Sequence, residues 1–77
     1  MILTDRFHLI SDTSINELHA FARKIKLKYE WFQNISRHPH YDLTTHNSVM
    51  RAVRNGAKVV SKKELVNRMV KRDVSPL

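Results

Sequence analysis

The stretch Phe7-His8-Leu9-Ile10-Ser11-Asp12-Thr13-Ser14-Ile15-Asn16-Glu17-Leu18 decides the fold. Its first four residues alternate, with Phe7 and Leu9 on one side and His8 and Ile10 on the other, as they would in a strand. The polar run that follows ends in Ser14, with Glu17 three residues on, the pattern in which a hydroxyl caps a helix. Ile15, Leu18, Ala22 and Ile25 then recur at helical spacing with Phe21 beside them. Arg23, Lys24, Lys26 and Lys28 gather at the far end, where cations suit the helix dipole. A strand that feeds into a capped amphipathic helix ending near Lys26 places the chain among α+β domains.

Downstream of that helix, Lys28-Tyr29-Glu30-Trp31-Phe32-Gln33 reads as a second strand and His40-Tyr41-Asp42-Leu43-Thr44 as a third, joined as a hairpin through a turn-like segment from Asn34 to Pro39. Pro39 lacks an N–H and fits the start of the third strand. Thr44 or Thr45 caps a second helix from about His46 to Asn55, with Val49, Met50 and Val53 inward and Asn47, Arg51 and Arg54 outward. Gly56 is the sole glycine and stands where a helix end calls for positive φ. After Ala57 to Val60, Ser61 and Glu64 repeat the capping pattern and open a third helix to about Arg72. Leu65, Val66, Met69 and Val70 face inward on it, and Arg68 and Lys71 outward. The expected architecture is a small α+β domain over residues 1–72, with a loose tail over 73–77. Three helices cover one side of a mainly antiparallel three-stranded sheet built from residues 7–10, 29–33 and 40–44.

Composition narrows the function. A chain of 77 residues has room for one domain with a thin core, since at this size folding buries only about 60% of the unfolded surface. The absence of cysteine removes disulfides, thiolate zinc sites and cysteine nucleophiles. No apolar run approaches the roughly 18 residues of a membrane span, so a cytoplasmic protein without membrane contact is expected. All of the +7 net charge lies between Thr45 and Arg72, where only Glu64 opposes the basic residues. A surface of that kind meets phosphates or an acidic protein, and its candidate contacts are Arg51, Arg54, Lys62, Lys63, Arg68, Lys71 and Arg72. The spacing of Ala52 and Gly56 before a capped helix is similar to a helix-turn-helix, but Ala57 to Val60 intervene and displace the third helix from that geometry.

His8-Leu9, Ser11-Asp12-Thr13, the run from Glu17 to Ala22, Trp31-Phe32-Gln33, His40-Tyr41-Asp42-Leu43 and Asn55-Gly56-Ala57 together resemble the domain of unknown function 4031 family. The His-Tyr-Asp triplet after a Trp-x-Gln is the most specific part, and the resemblance spans roughly residues 7–65. It implies a small protein of bacteria or their phages and carries no established activity. Many relatives place a further strand and an Arg/Gly-rich loop before the His-Leu motif, whereas this chain begins almost at that motif.

One polar set stands out as a possible site: His8, Asp12, His19, His40 and Asp42. In a strand His40 and Asp42 share a face, so they can share a metal, or Asp42 can orient His40 as a general base. The other reading is structural, with His40 and Asp42 tying the third strand to the capped helix start near Asp12 and Thr13. No HxxxH or HExxH spacing is present, and the expectation is no metal and no cofactor. His38-Pro39-His40 is a weak metal-binding signal, since a surface turn with two exposed imidazoles explains it equally well. Tyr29, Trp31 and Gln33 would share a strand face able to stack on bases, although Trp31 is expected in the core. There is no glycine-rich phosphate loop and no nucleophile triad, so an enzyme is the less favoured class. The leading expectation is a basic phage or bacterial accessory protein that binds nucleic acid, with a homo-oligomer allowed. The alternatives are an inhibitor or adaptor docking on an acidic host protein, and a small metal-dependent enzyme using His8, His19, His40 and Asp42.

Overall fold

A computed structural model gives the architecture, described here for residues 1–33 and 39–68. The element order is β1 (Ile2–Thr4), β2 (His8–Ser11), α1 (Ile15–Lys24), a 3₁₀ turn (Tyr29–Trp31), β3 (Phe32–Gln33), β4 (His40–Asp42), α2 (His46–Arg54), β5 (Lys58–Val59) and α3 (Lys62–Arg68). The strands form one five-stranded mixed sheet in the order β3-β4-β2-β1-β5, antiparallel except where β5 runs parallel to β1. Three helices were expected and three are present, but the three-stranded antiparallel sheet is corrected to five strands. The two additional strands, Ile2–Thr4 and Lys58–Val59, are three and two residues long, too short for an alternating pattern to announce them. The segment before the His-Leu motif is therefore itself a strand. The expected second strand is largely a 3₁₀ turn that leaves only Phe32–Gln33 in the sheet.

Pairing places Leu9 opposite Tyr41 and Thr4, and Leu3 opposite Ile10, so side chains alternate between two faces. One face carries Ile2, Leu9, Tyr41 and Leu43 into a core with Leu18, Ala22 and Ile25 of the α1 region and Ala52 of α2. The other face carries Leu3 and Ile10 against Leu65 of α3. The helices thus lie on both sides of the sheet, which corrects the expectation of one. With both faces of the two central strands apolar, Leu3 and Ile10 need a cover of their own, and α3 supplies it. Burying a side chain of that size contributes about 1.5–3 kcal/mol.

Ser14 caps α1 by accepting from the Glu17 N–H, as the sequence indicates. Thr45 caps α2 in a box with Ser48, whose hydroxyl is bonded in return. Ser48 and Ala52 are the buried residues of α2, while Met50 and Val53 are exposed. This corrects the inward set of that helix for Met50 and Val53, while Val49 packs partly against the core: Ser48 turns inward with the Thr45 cap it bonds, and Ala52 enters the core. On α3 Leu65 is buried but Val66 is exposed; Met69, Val70 and the tail at 73–77 lie outside the described residues.

Both longer helices end in the same hydrogen-bonded motif. Gly56 N–H donates to Val53 O and Ala57 N–H to Ala52 O, with Gly56 at φ 109. In α1 the same two bonds run from Lys26 to Arg23 O and from Leu27 to Ala22 O, with Lys26 at φ 66. A lysine thus occupies the left-handed position that glycine fills most cheaply, and α1 stops at Lys24 with no glycine to signal it.

Candidate functional site

The β1–β2 hairpin turns through Asp5, Arg6 and Phe7. The buried Asp5 carboxylate shapes it by accepting from the backbone N–H of Phe7 at 2.9 Å and of His8 at 2.7 Å. Its second oxygen lies 3.1 Å from His8 Nδ1. Burial pushes the Asp5 carboxyl up, but the Phe7 amide, the His8 ring and the His8 amide outweigh it and hold the group below its ordinary value. The turn hydrogen bonds therefore fix a carboxylate against Nδ1 of His8, which makes Nε2 the ring nitrogen turned away from Asp5.

Across the sheet, His8 pairs with Asp42 in register, and Gln33 pairs with His40. His8, His40 and Asp42 consequently project from the same face, the one opposite Tyr41. The His8 and His40 rings meet edge to face with centroids 5.0 Å apart, and His40 Nε2 is 3.2 Å from Asp42 Oδ1. One ligating atom from each of the three lies within 4.8 Å of the others. Metal–ligand bonds of about 2.0–2.2 Å put neighbouring ligand atoms roughly 3–3.5 Å apart, so the His40–Asp42 edge is already at ligating spacing. Asp42 also lines a cleft with Glu30, Trp31, Gln33 and Thr44.

The other two members of the expected set stand elsewhere. His19, on α1, points to the opposite face, where its Nδ1 lies 2.7 Å from the Tyr41 hydroxyl and its ring packs on Phe32 and Tyr29. Burial raises the Tyr41 pKa, so the hydroxyl that shares this hydrogen bond with His19 stays protonated. Asp12 sits past the far end of β2. There the Met1 ammonium, at 2.9 Å, lowers its carboxyl to about 2, helped by Arg68 at 2.7 Å and by Thr13. Glu17 joins the network by accepting from the Ser11 hydroxyl and the Met1 ammonium, and both lower its pKa. The expected tie between His40, Asp42 and the Asp12–Thr13 region is therefore corrected: Asp12 and Thr13 meet Met1, and His40 and Asp42 face His8.

Of the basic candidates, Arg51 donates from Nε to Ile25 O at 3.0 Å, and Arg68 bridges Asp12 and Glu64. Arg54, Lys62 and Lys63 are exposed, while Lys71 and Arg72, like His38, lie outside the described residues. Sequence reasoning missed Asp5, whose signal is an acid two and three residues before the N–H groups it caps. It also placed Trp31 in the core, whereas the structure leaves it exposed; Tyr29 and Trp31 both belong to the 3₁₀ turn, so the two share no strand face. A second group it missed is apolar: Phe7, Leu43, Val49, Met50, Val53 and Val59 line one groove beside Arg6.

The fold and this cluster define a small α+β protein with two histidines and a carboxylate converging on one face of a mixed sheet, supported by a buried aspartate. The chain belongs to the DUF4031 family, described as a protein of unknown function, whose family model matches residues 4–72. No curated protein and no solved structure matches it. Among the described residues no helix is long and apolar enough to cross a membrane.

Proposed function

We propose that this chain is a metal-dependent protein whose working centre is His8, His40 and Asp42, of the class in which a bound cation activates water for hydrolysis. One observation carries the reading. Three ligating atoms lie within 4.8 Å of one another, and the buried Asp5 holds the tautomer of His8 that a cation requires. Two imidazoles and a carboxylate suit zinc or another divalent transition ion, and three protein ligands leave a position for water. The cation would lower the pKa of that water toward 7. This reading replaces His19 in the expected ligand set with the support of Asp5. Calorimetric titration of the chain with zinc and with manganese tests it. Stoichiometric micromolar binding that is lost in His40→Ala and kept in His19→Ala is expected; the absence of binding by either ion would sink the reading.

Nucleic-acid binding is the second reading, supported by the exposed Arg54, Lys62 and Lys63 in the region that holds the net charge. It predicts an affinity that falls linearly on a log–log salt plot, with a shallower slope when Lys62 and Lys63 are reversed to Glu. Arg51 and Arg68 contribute less to such a surface, because both are engaged within the molecule.

A further inference from the structure

We infer that the cleft beside Asp42 receives the base of a mononucleotide whose phosphate reaches the cation, an inference that rests on the metal reading above. Trp31 is the only tryptophan of the chain, yet it stands 41% exposed and outside both core clusters. A domain with so few aromatics gains more by burying its largest one, so the exposed position calls for another role. Its ring lines the cleft together with Gln33, Glu30, Thr44 and Asp42. An indole provides a stacking platform, and a side-chain amide both donates and accepts. A carboxylate accepts from an exocyclic amino group. That combination matches the face and edge of adenine, cytosine or guanine better than uracil, which has no amino group. The anionic end of the ligand has two partners. Lys28, whose Nζ lies 5.6 Å from the Trp31 ring centroid, is one, and the other is the cation itself, which would be held by Asp42, a residue of both the cleft and the cluster. The base and the phosphate thus find their recognition groups side by side. The spacing of Trp31, Gln33, His40 and Asp42 along the chain is what brings them to one sheet edge through the β3–β4 pairing.

The solitary tryptophan makes the test direct. Its fluorescence is followed as the zinc-loaded chain is titrated with GMP, CMP, UMP and ribose 5-phosphate, while zinc binding is measured separately by calorimetry. Saturable quenching by GMP and CMP is expected, at least tenfold weaker for UMP, absent with ribose 5-phosphate, and weakened at least tenfold when zinc is removed by a chelator. Glu30→Gln should narrow the difference between CMP and UMP with zinc stoichiometry intact, because the carboxylate that accepts from the exocyclic amino group is replaced by an amide that suits either base. Trp31→Ala, read by calorimetry, should abolish CMP binding. Zinc binding without nucleotide quenching overturns this inference and leaves the metal reading standing. Equal quenching with and without zinc overturns the placement of the phosphate. No zinc binding at all overturns both.

Discussion

The two ends of β2 carry two polar clusters, and they differ in what faces their carboxylates: an ammonium and a guanidinium at one end, imidazoles at the other. At the Asp12 end, Met1, Asp12, Glu17, Glu64 and Arg68 close on one another, with the Met1 ammonium and Arg68 set directly against the carboxylates. At the His8 end, roughly 13 Å away at about 3.3 Å per residue, two imidazoles and a carboxylate converge beside a cleft with Asp5 behind them. A closed network of opposite charges ties elements together. Imidazoles paired with carboxylates can instead give up a proton to a cation brought from outside, which is the metal reading proposed above. The comparison teaches that carboxylates differ in what they can do according to the group that faces them, a permanent cation at the Asp12 end and a titratable imidazole at the His8 end.

The sharpest way to break this contrast is Asp5→Ala. It removes the acceptor of two backbone N–H groups and of His8, so unfolding free energy measured in urea should fall by about 2 kcal/mol. Asp5→Asn keeps an oxygen for the turn, and should lose less stability while weakening zinc about 10–100-fold. Equal zinc affinity in Asp5→Asn would show that Asp5 serves the turn alone.

Asp12→Ala acts on the other cluster. It should lower the melting midpoint by a few degrees, less so at high salt, and leave zinc affinity unchanged. A matching loss of zinc affinity would mean that the two clusters are coupled through β2.

Acid separates the clusters by a third route. The folded pKa of Asp12 is lowered from 3.8 to about 2, so the stability it contributes is present above 3.8 and is lost as pH falls through 2. Thermal melts between pH 5 and pH 2 should show that loss in the wild-type chain and a smaller one in Asp12→Ala.

The smallest effect lies outside both clusters and calibrates them. Lys26→Gly relieves the left-handed lysine at the end of α1 and should raise stability by about 0.5 kcal/mol, with zinc binding unaltered.

Much of the fold is legible locally. Ser14 and Glu17 start α1, Thr45 starts α2, and Gly56 ends it, each through hydrogen bonds within a few residues. The period of two places His40 and Asp42 on one face before any partner strand is known. What was not legible are the features made by distant pairings. The stretch Lys58–Val59 becomes a strand only because Thr4 is beside it, with Val60 N–H donating to Thr4 O. The rotation of α2 that buries Ser48 and Ala52 goes with its Thr45–Ser48 cap and with the bond from Arg51 Nε to Ile25 O, a partner twenty-six residues away that hydrophobicity by itself does not encode.

The sequence by itself determined the α+β class, the caps of the helices, the concentration of positive charge after Thr45 and the shared face of His40 and Asp42. Tertiary structure alone decided that His8 joins them, that Asp12 and His19 do not, and that Trp31 opens onto the same cleft. Those outcomes depend on strand order and on the His8–Asp42 register, and a slip of one residue would send His8 to the opposite face. Caps and periodicities are short-range interactions written within a turn or two of the chain, whereas a register between strands more than thirty residues apart is set by the packing of the whole core.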